Sequence, residues 1–187
     1  MSSLYCIEAV LILDQKGNRV YANYFAPPHV QDGEESLAGS LKRQREFELE
    51  FARRTAKSEG DLQMFSGSLV RFKRFTDVVV VVVGHASANE VLVDVVFEGI
   101  AGALELLLDS GGVDMRVVQD KFDLVCLLVD EAVDNGIVLE TDPATIAARV
   151  TRPPTTDPQV SLDLDKGLLG AWGFAKSKLQ ERLQQGR

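Results

Sequence analysis

Three carboxylates crowd one short stretch of this chain. Asp130, Glu131 and Asp134 close the apolar run that begins at Leu127. Carboxylates so placed could ligate a hard cation or work as an acid/base pair, and Asp130 and Asp134, four residues apart, share a face if the run is helical. A hard-cation site needs about six or more convergent oxygens, however, and no histidine lies nearby. The reading these residues support is a solvated helix end whose carboxylates help to fix the turn that follows. His29 stands beside Pro28 in a loop and His85 ends a run of valines; neither has the Ser, Cys or Asp spacing of a triad. Ser110-Gly111-Gly112 resembles a phosphate loop only in its glycines, with no Lys-Ser or Lys-Thr after it. Cys6 and Cys126 sit in apolar runs and read as buried small hydrophobes in a reducing compartment. No residue is assigned to catalysis, to a cofactor or to a metal.

The elements that must hold these carboxylates are legible in the string LLVDEAVDNGIVLETDP, residues 127–143. It predicts a buried helix that ends at Gly136 in a left-handed C-cap. A short extended crossing follows over residues 137–139. A new helix then starts with Thr141 or Asp142 as N-cap and Pro143 in its first turn.

Upstream, residues 4–13 are apolar and β-branched, Asp14 to Gly17 opens a turn cluster, and residues 19–25 alternate. Two strands in a hairpin are expected. Residues 34–58 have the pattern of an amphipathic helix: Leu37, Leu41, Phe47, Leu49, Phe51 and Ala52 share an arc that Glu48 enters. Its basic residues, among them Lys42, Arg43, Arg53 and Arg54, read as a solvated face. Residues 63–85 return to strands, broken at Gly67 and at Thr76-Asp77, and the last carries six valines in a row from Val78 to Val83. A strand with no polar alternation is covered on both faces, so a sheet between helical layers is expected. Residues 89–108 and 117–133 are two long apolar helices, with Asp114 as the N-cap of the second. Gly99 and Gly102 in the first suggest close packing on the domain's own sheet.

The order ββαβββαα defines an α/β (α+β) domain over residues 1–150. A proline-bearing linker follows over 151–166, with Pro153, Pro154 and Pro158. Residues 167–187 form a tail whose Leu168, Trp172, Leu179 and Leu183 mark one apolar stripe of a helix. Bulk properties narrow the function. A net charge of -8 argues against nucleic acid, which needs a basic footprint. The start of the chain has no basic segment of a signal peptide, and the longest apolar stretch contains Asp94, Glu98 and Glu105, so a cytosolic protein with no membrane span is expected.

The element order is similar to the longin-like (SNARE-like) fold, a five-stranded antiparallel sheet between helices. Residues 4–150 resemble the zeta family of coatomer small chains, within the adaptor-complex small subunits. Asp14 and Gly17 match its hairpin. Asp130, Glu131, Asp134, Gly136, Glu140, Asp142 and Pro143 match its most specific string. Sigma chains of clathrin adaptors share a Val-Asp-Glu here but lack the Asp-x-Gly and Leu-Glu-x-Asp-Pro that follow. The tail of Trp172, Leu179 and Leu183 lies outside the resemblance.

The resemblance implies a non-enzymatic subunit of the coatomer (COPI) coat, paired with the large gamma subunit and assembled with the remaining coatomer subunits. It also implies indirect recruitment by an Arf GTPase and a place on Golgi membranes and coated vesicles, in Golgi-to-ER and intra-Golgi transport. Two other readings share the fold: a sigma-type chain that binds dileucine cargo motifs, and a longin-fold regulator of trafficking GTPases.

Overall fold

The six valines lie at the centre of the sheet. The computed structural model describes residues 4–26, 37–108 and 112–151. The hairpin of β1 (Ile7–Asp14) and β2 (Arg19–Tyr24) is followed by a short 3-10 turn (Leu37–Gly39) and α1 (Leu41–Thr55). Three strands come next, β3 (Gly60–Phe65), β4 (Ser68–Arg74) and β5 (Val78–Gly84). The chain then forms α2 (Glu90–Leu108), α3 (Met115–Asp120), α4 (Phe122–Ala132), the two-residue strands β6 (Val133–Asp134) and β7 (Ile137–Val138), and α5 (Pro143–Thr151). Five strands pair antiparallel in the order β2-β1-β5-β4-β3.

Because side chains alternate along a strand, the valine run divides between two cores. Val78, Val80 and Val82 join Val10 and Ile12 beneath Phe97, Ile100 and Leu104 of α2 and Leu128 of α4. Val79, Val81 and Val83 join Leu11, Leu13 and Phe72 against Phe47 and Phe51 of α1. None of the six is more than 3% exposed. At about 1.5–3 kcal/mol for each fully buried aliphatic side chain, this strand contributes to both cores at once. The expected sheet between helical layers is the observed one.

Three expectations need correction. The helix foreseen from residue 34 begins at Leu41, where Ser40 accepts a hydrogen bond from the Arg43 N–H. Its buried face is Gln44, Phe47, Glu48, Phe51, Ala52 and Thr55, and Leu41 and Leu49 lie outside it. Second, the single helix over residues 117–133 breaks at Lys121 (φ -115, ψ 35) into α3 and α4. The break lets the Lys121 ammonium donate to the Leu107 carbonyl (2.8 Å), at the end of α2. Third, Gly136 is not a helix C-cap. α4 stops at Ala132 and Val133 is already extended. Asn135 (φ 49) and Gly136 (φ 87) then form the two-residue loop of a minute hairpin, with Val133 opposite Val138 and Asp134 opposite Ile137. Asn-Gly with two positive φ values is the preferred loop of such hairpins.

The chain divides into residues 1–151 and 152–187. Thr151, expected in the linker, ends α5. The rest of the linker, the tail with Trp172, Leu179 and Leu183, and His29 lie outside the described residues.

Candidate functional site

The residues singled out by type and spacing resolve into turns, caps and seats. In the β1–β2 hairpin, Asp14 Oδ1 accepts from the N–H groups of Lys16 (2.8 Å) and Asn18 (2.7 Å), and Oδ2 accepts from the Asn18 side chain (2.8 Å). Burial pulls the Asp14 carboxyl upward, but these donors outweigh it and hold it below its ordinary value. Gly17 holds φ +85, and a Cβ there would stand 2.9 Å from Ala52 Cβ and 3.0 Å from the Glu48 carbonyl. The hairpin tip is therefore pressed against α1, and only glycine meets both demands.

The string after α4 has a similar logic. Gly136 accepts from the Ile7 N–H (3.1 Å), so the β6–β7 turn closes on the first residue of β1. A Cβ on Gly136 would meet the Ile7 carbonyl at 2.6 Å. Glu140 Oε1 accepts from the N–H groups of Thr141 (2.9 Å) and Asp142 (3.1 Å). The Asp142 N–H, then that of Thr141, keeps the Glu140 carboxyl below its usual range. Asp142 is the N-cap of α5, accepting from the Thr145 N–H (2.7 Å), with Pro143 in the first helical position. Its carboxyl is lowered in turn by its hydrogen bonds with Thr145.

Gly99 and Gly102 pack on this string rather than on the sheet. A Cβ on Gly99 would run into the Thr141 carbonyl, and one on Gly102 would stand 3.0 Å from Pro143 Cβ. The two glycines give α2 a groove in which residues 141–143 lie. The sequence pattern exposed the close approach but not its partner.

Of the three carboxylates that opened the sequence reading, only Glu131 takes part in an ion pair among the described residues. Arg149, in the last turn of α5, bridges it (3.6 Å) to Glu140 (3.2 Å) and so ties α5 to α4 and to the string before α5. Asp130 and Asp134 are exposed, and Asp134 accepts from the Asn135 side chain (2.9 Å). Among the described residues, no three His, Cys, Asp or Glu side chains converge as a metal site would require. His85 lies at the end of β5, its Nδ1 2.8 Å from Ser87 Oγ in a local turn. The cysteines are free: Cys6 is buried, as expected, while Cys126 is half-buried. Burial, and for Cys126 also the carboxylates of Asp130 and Asp123, pushes both thiols upward, away from the reactive thiolate.

Sequence reasoning missed a buried polar network. Glu48, fully buried, accepts from Arg19 Nε (2.6 Å) and the Tyr24 hydroxyl (2.9 Å), with Arg45 3.3 Å from its other oxygen. Arg19 also donates to Gln44 Oε1 (2.9 Å). Burial, then the Glu48 charge, pushes the Tyr24 phenol well upward. The available signal was Glu48's intrusion into the apolar arc, and the network turns α1 so that Gln44 and Glu48, rather than Leu41 and Leu49, face the strands. A second unforeseen group is Arg71. It donates to Asp94 (2.6 Å) and Glu98 (2.8 Å) of α2 and lies 4.4 Å from the centre of the Phe97 ring.

Known proteins resemble this chain over most of its length. The family model of the clathrin adaptor complex small chain matches residues 6–156. The coatomer subunit zeta of Saccharomyces cerevisiae is 51% identical over 185 residues, covering 98% of this chain and 97% of the yeast protein. That match is long enough to include the tail, which therefore has a counterpart after all. Coatomer subunit zeta-1 of Oryza sativa subsp. japonica is 32% identical over 151 residues, 81% of this chain and 82% of its own. In structure, a chain of a homology model of the full-length AP-3 complex in a stretched open conformation superposes with a TM-score of 0.56 at 14% identity. It covers 92% of this chain and 98% of its own, a likeness of fold. By this family model and these relatives, the chain belongs to the coatomer zeta branch of the clathrin adaptor complex small chain family.

Proposed function

We propose that this chain is the zeta-type structural subunit of a coatomer (COPI) vesicle coat. In this reading it pairs stably with the large gamma subunit and acts in Golgi-to-ER and intra-Golgi protein transport. It is cytoplasmic and reaches Golgi membranes through the coat, whose recruitment by an Arf GTPase is indirect for this subunit. The observation that carries the proposal is the 51% identity to the yeast zeta chain over nearly the whole length of both. The string at Leu139, Glu140, Asp142 and Pro143 favours it over a dileucine-binding sigma chain. Its role is mechanical: a rigid sheet-and-helix block buries apolar surface against the large partner, typically more than about 2,000 Å² in an obligate pair. In the described residues no helix is long and apolar enough to cross a membrane.

The tail belongs to this proposal as a coat contact. The helix expected from the sequence, with Leu168, Trp172, Leu179 and Leu183 on one stripe, would be too short to be stable alone in water, and Trp is a common interface anchor. Deleting residues 159–187 is expected to weaken coat assembly in a sedimentation assay. Co-expression of the full chain with the trunk of a coatomer gamma subunit tests the main proposal. A soluble complex in gel filtration is expected. A well-behaved monomer that ignores the trunk, or preference for a clathrin-adaptor large chain, sinks it.

A further inference from the structure

We propose that the end of the sheet at which β1 begins is the face gripped by the large partner, and that the partner meets it with aliphatic side chains flanked by lysine or arginine. The inference rests on the coat-subunit reading above and names the surface that reading leaves open.

Cross-strand pairing defines this end. Met64 of β3 stands opposite Leu69, Leu69 opposite Gly84, and Gly84 opposite Ile7. Ile7 in turn donates to Gly136, so the β6–β7 turn closes the same row. The first turns of α2 cross above it, since a Cβ on Gly84 would stand 2.6 Å from Val93 Cγ2. Leu139 follows the β6–β7 turn, on the way to the Thr141 crossing of α2. Leu4 precedes the first strand by three residues.

Exposed apolar side chains gather here. Of the eleven large hydrophobics exposed among the described residues, six belong to this end: Leu4, Met64, Val91, Leu92, Val95 and Leu139. Val91, at 69%, is the most exposed of all eleven. Val91 and Val95 are one helical turn apart, so they make a ridge instead of scattered points. A concentration of apolar surface at one end of a small domain marks a protein interaction site.

Charge selects the partner. Cations around this end are already engaged: Arg71 by Asp94 and Glu98, Arg149 by Glu131 and Glu140, and Arg54, 5.5 Å from the Phe65 ring, by Glu50. Glu90 beside the ridge and Asp134 of β6 are exposed carboxylates, and neither is held in an ion pair in the described structure. This end of the sheet therefore carries uncompensated negative charge. A partner surface of aliphatic residues with basic neighbours complements both properties.

The test uses the full chain co-expressed with a coatomer gamma trunk. Three variants are compared with the wild type: Val91→Asp/Val95→Asp on the ridge, Glu90→Lys/Asp134→Lys at its edge, and Leu41→Asp/Leu49→Asp on the exposed side of α1. All six positions are exposed, so melting temperatures are expected to match that of the wild type and are measured first. The ridge variant is expected to bind the trunk at least about tenfold more weakly, and the edge variant mainly to slow association, while the α1 variant binds as the wild type does. Unchanged binding by the ridge variant, beside a wild type that binds, overturns this assignment alone. Equal loss in the α1 variant overturns it too, because the effect is then not local. A wild type that fails to bind overturns the coat-subunit reading and this inference together.

Discussion

The two faces of β5 solve one burial problem in opposite ways. On the Val79, Val81 and Val83 side, a single long helix among the described residues covers the sheet and does so with rings. Phe51 packs edge-on against Phe65 (5.5 Å) and Phe72 (5.1 Å), and Phe47 against Phe65 (5.2 Å). On the Val78, Val80 and Val82 side, α2, α4 and α5 share the work with aliphatic side chains, and α2 carries glycines where residues 141–143 cross it. One helix can cover a sheet wider than itself only with large side chains, whereas several helices pack closely only if small ones stand at their crossings. Removing volume should therefore damage the α1 face most, and adding volume the α2 face.

The largest effect is expected from Phe51→Ala, about 3–5 kcal/mol of stability, because the ring is fully buried among other rings that have no room to collapse. Urea denaturation measures it; a loss under about 1 kcal/mol would mean that the cluster closes over the gap, and the contrast between faces would fail. Gly99→Val probes the opposite side and is expected to cost about 1–3 kcal/mol, since the added carbons meet backbone rather than a flexible side chain. If that variant melts with the wild type, the groove is looser than the geometry implies.

Gly136→Val sharpens the comparison by straining the crossing string itself. Its φ of +87 and the nearby Ile7 carbonyl predict a loss of about 1–2 kcal/mol, with an otherwise unchanged helix content by circular dichroism. A marked loss of helix content would mean that the turn also supports the helices on either side of it.

The smallest effect is one of pH. Folding lowers the carboxyls of Glu140 and Asp142 from ordinary values of 4.5 and 3.8. A group lowered by folding contributes stability that is present above its ordinary value and lost as the pH falls through the lowered one. The double variant Glu140→Gln/Asp142→Asn should thus lose less melting temperature than the wild type between neutral pH and about pH 3. Parallel curves for the two proteins would show that other carboxylates govern the acid limb.

Much of the architecture is legible in the sequence because it depends on local chemistry and simple period. Six consecutive valines require a strand covered twice. Asp14 to Gly17 requires a turn, and Asp142-Pro143 a helix start, whatever surrounds them, since the capping oxygen and the fixed proline φ act within a few residues. The string of residues 130–143 was also specific enough to indicate the family. What needed the fold was every choice between local options of similar energy. Asn135-Gly136 suits a helix end as well as a hairpin loop, and the docking of Gly136 on Ile7 decides for the loop. Glu48 looked misplaced until Arg19 and Tyr24, distant in sequence, were brought to its oxygens. Gly99 and Gly102 announced a close neighbour without naming it, because a missing Cβ records only that something fills its place. Long-range contacts decide such cases: their partners lie tens of residues away, and no local preference encodes which of them will arrive.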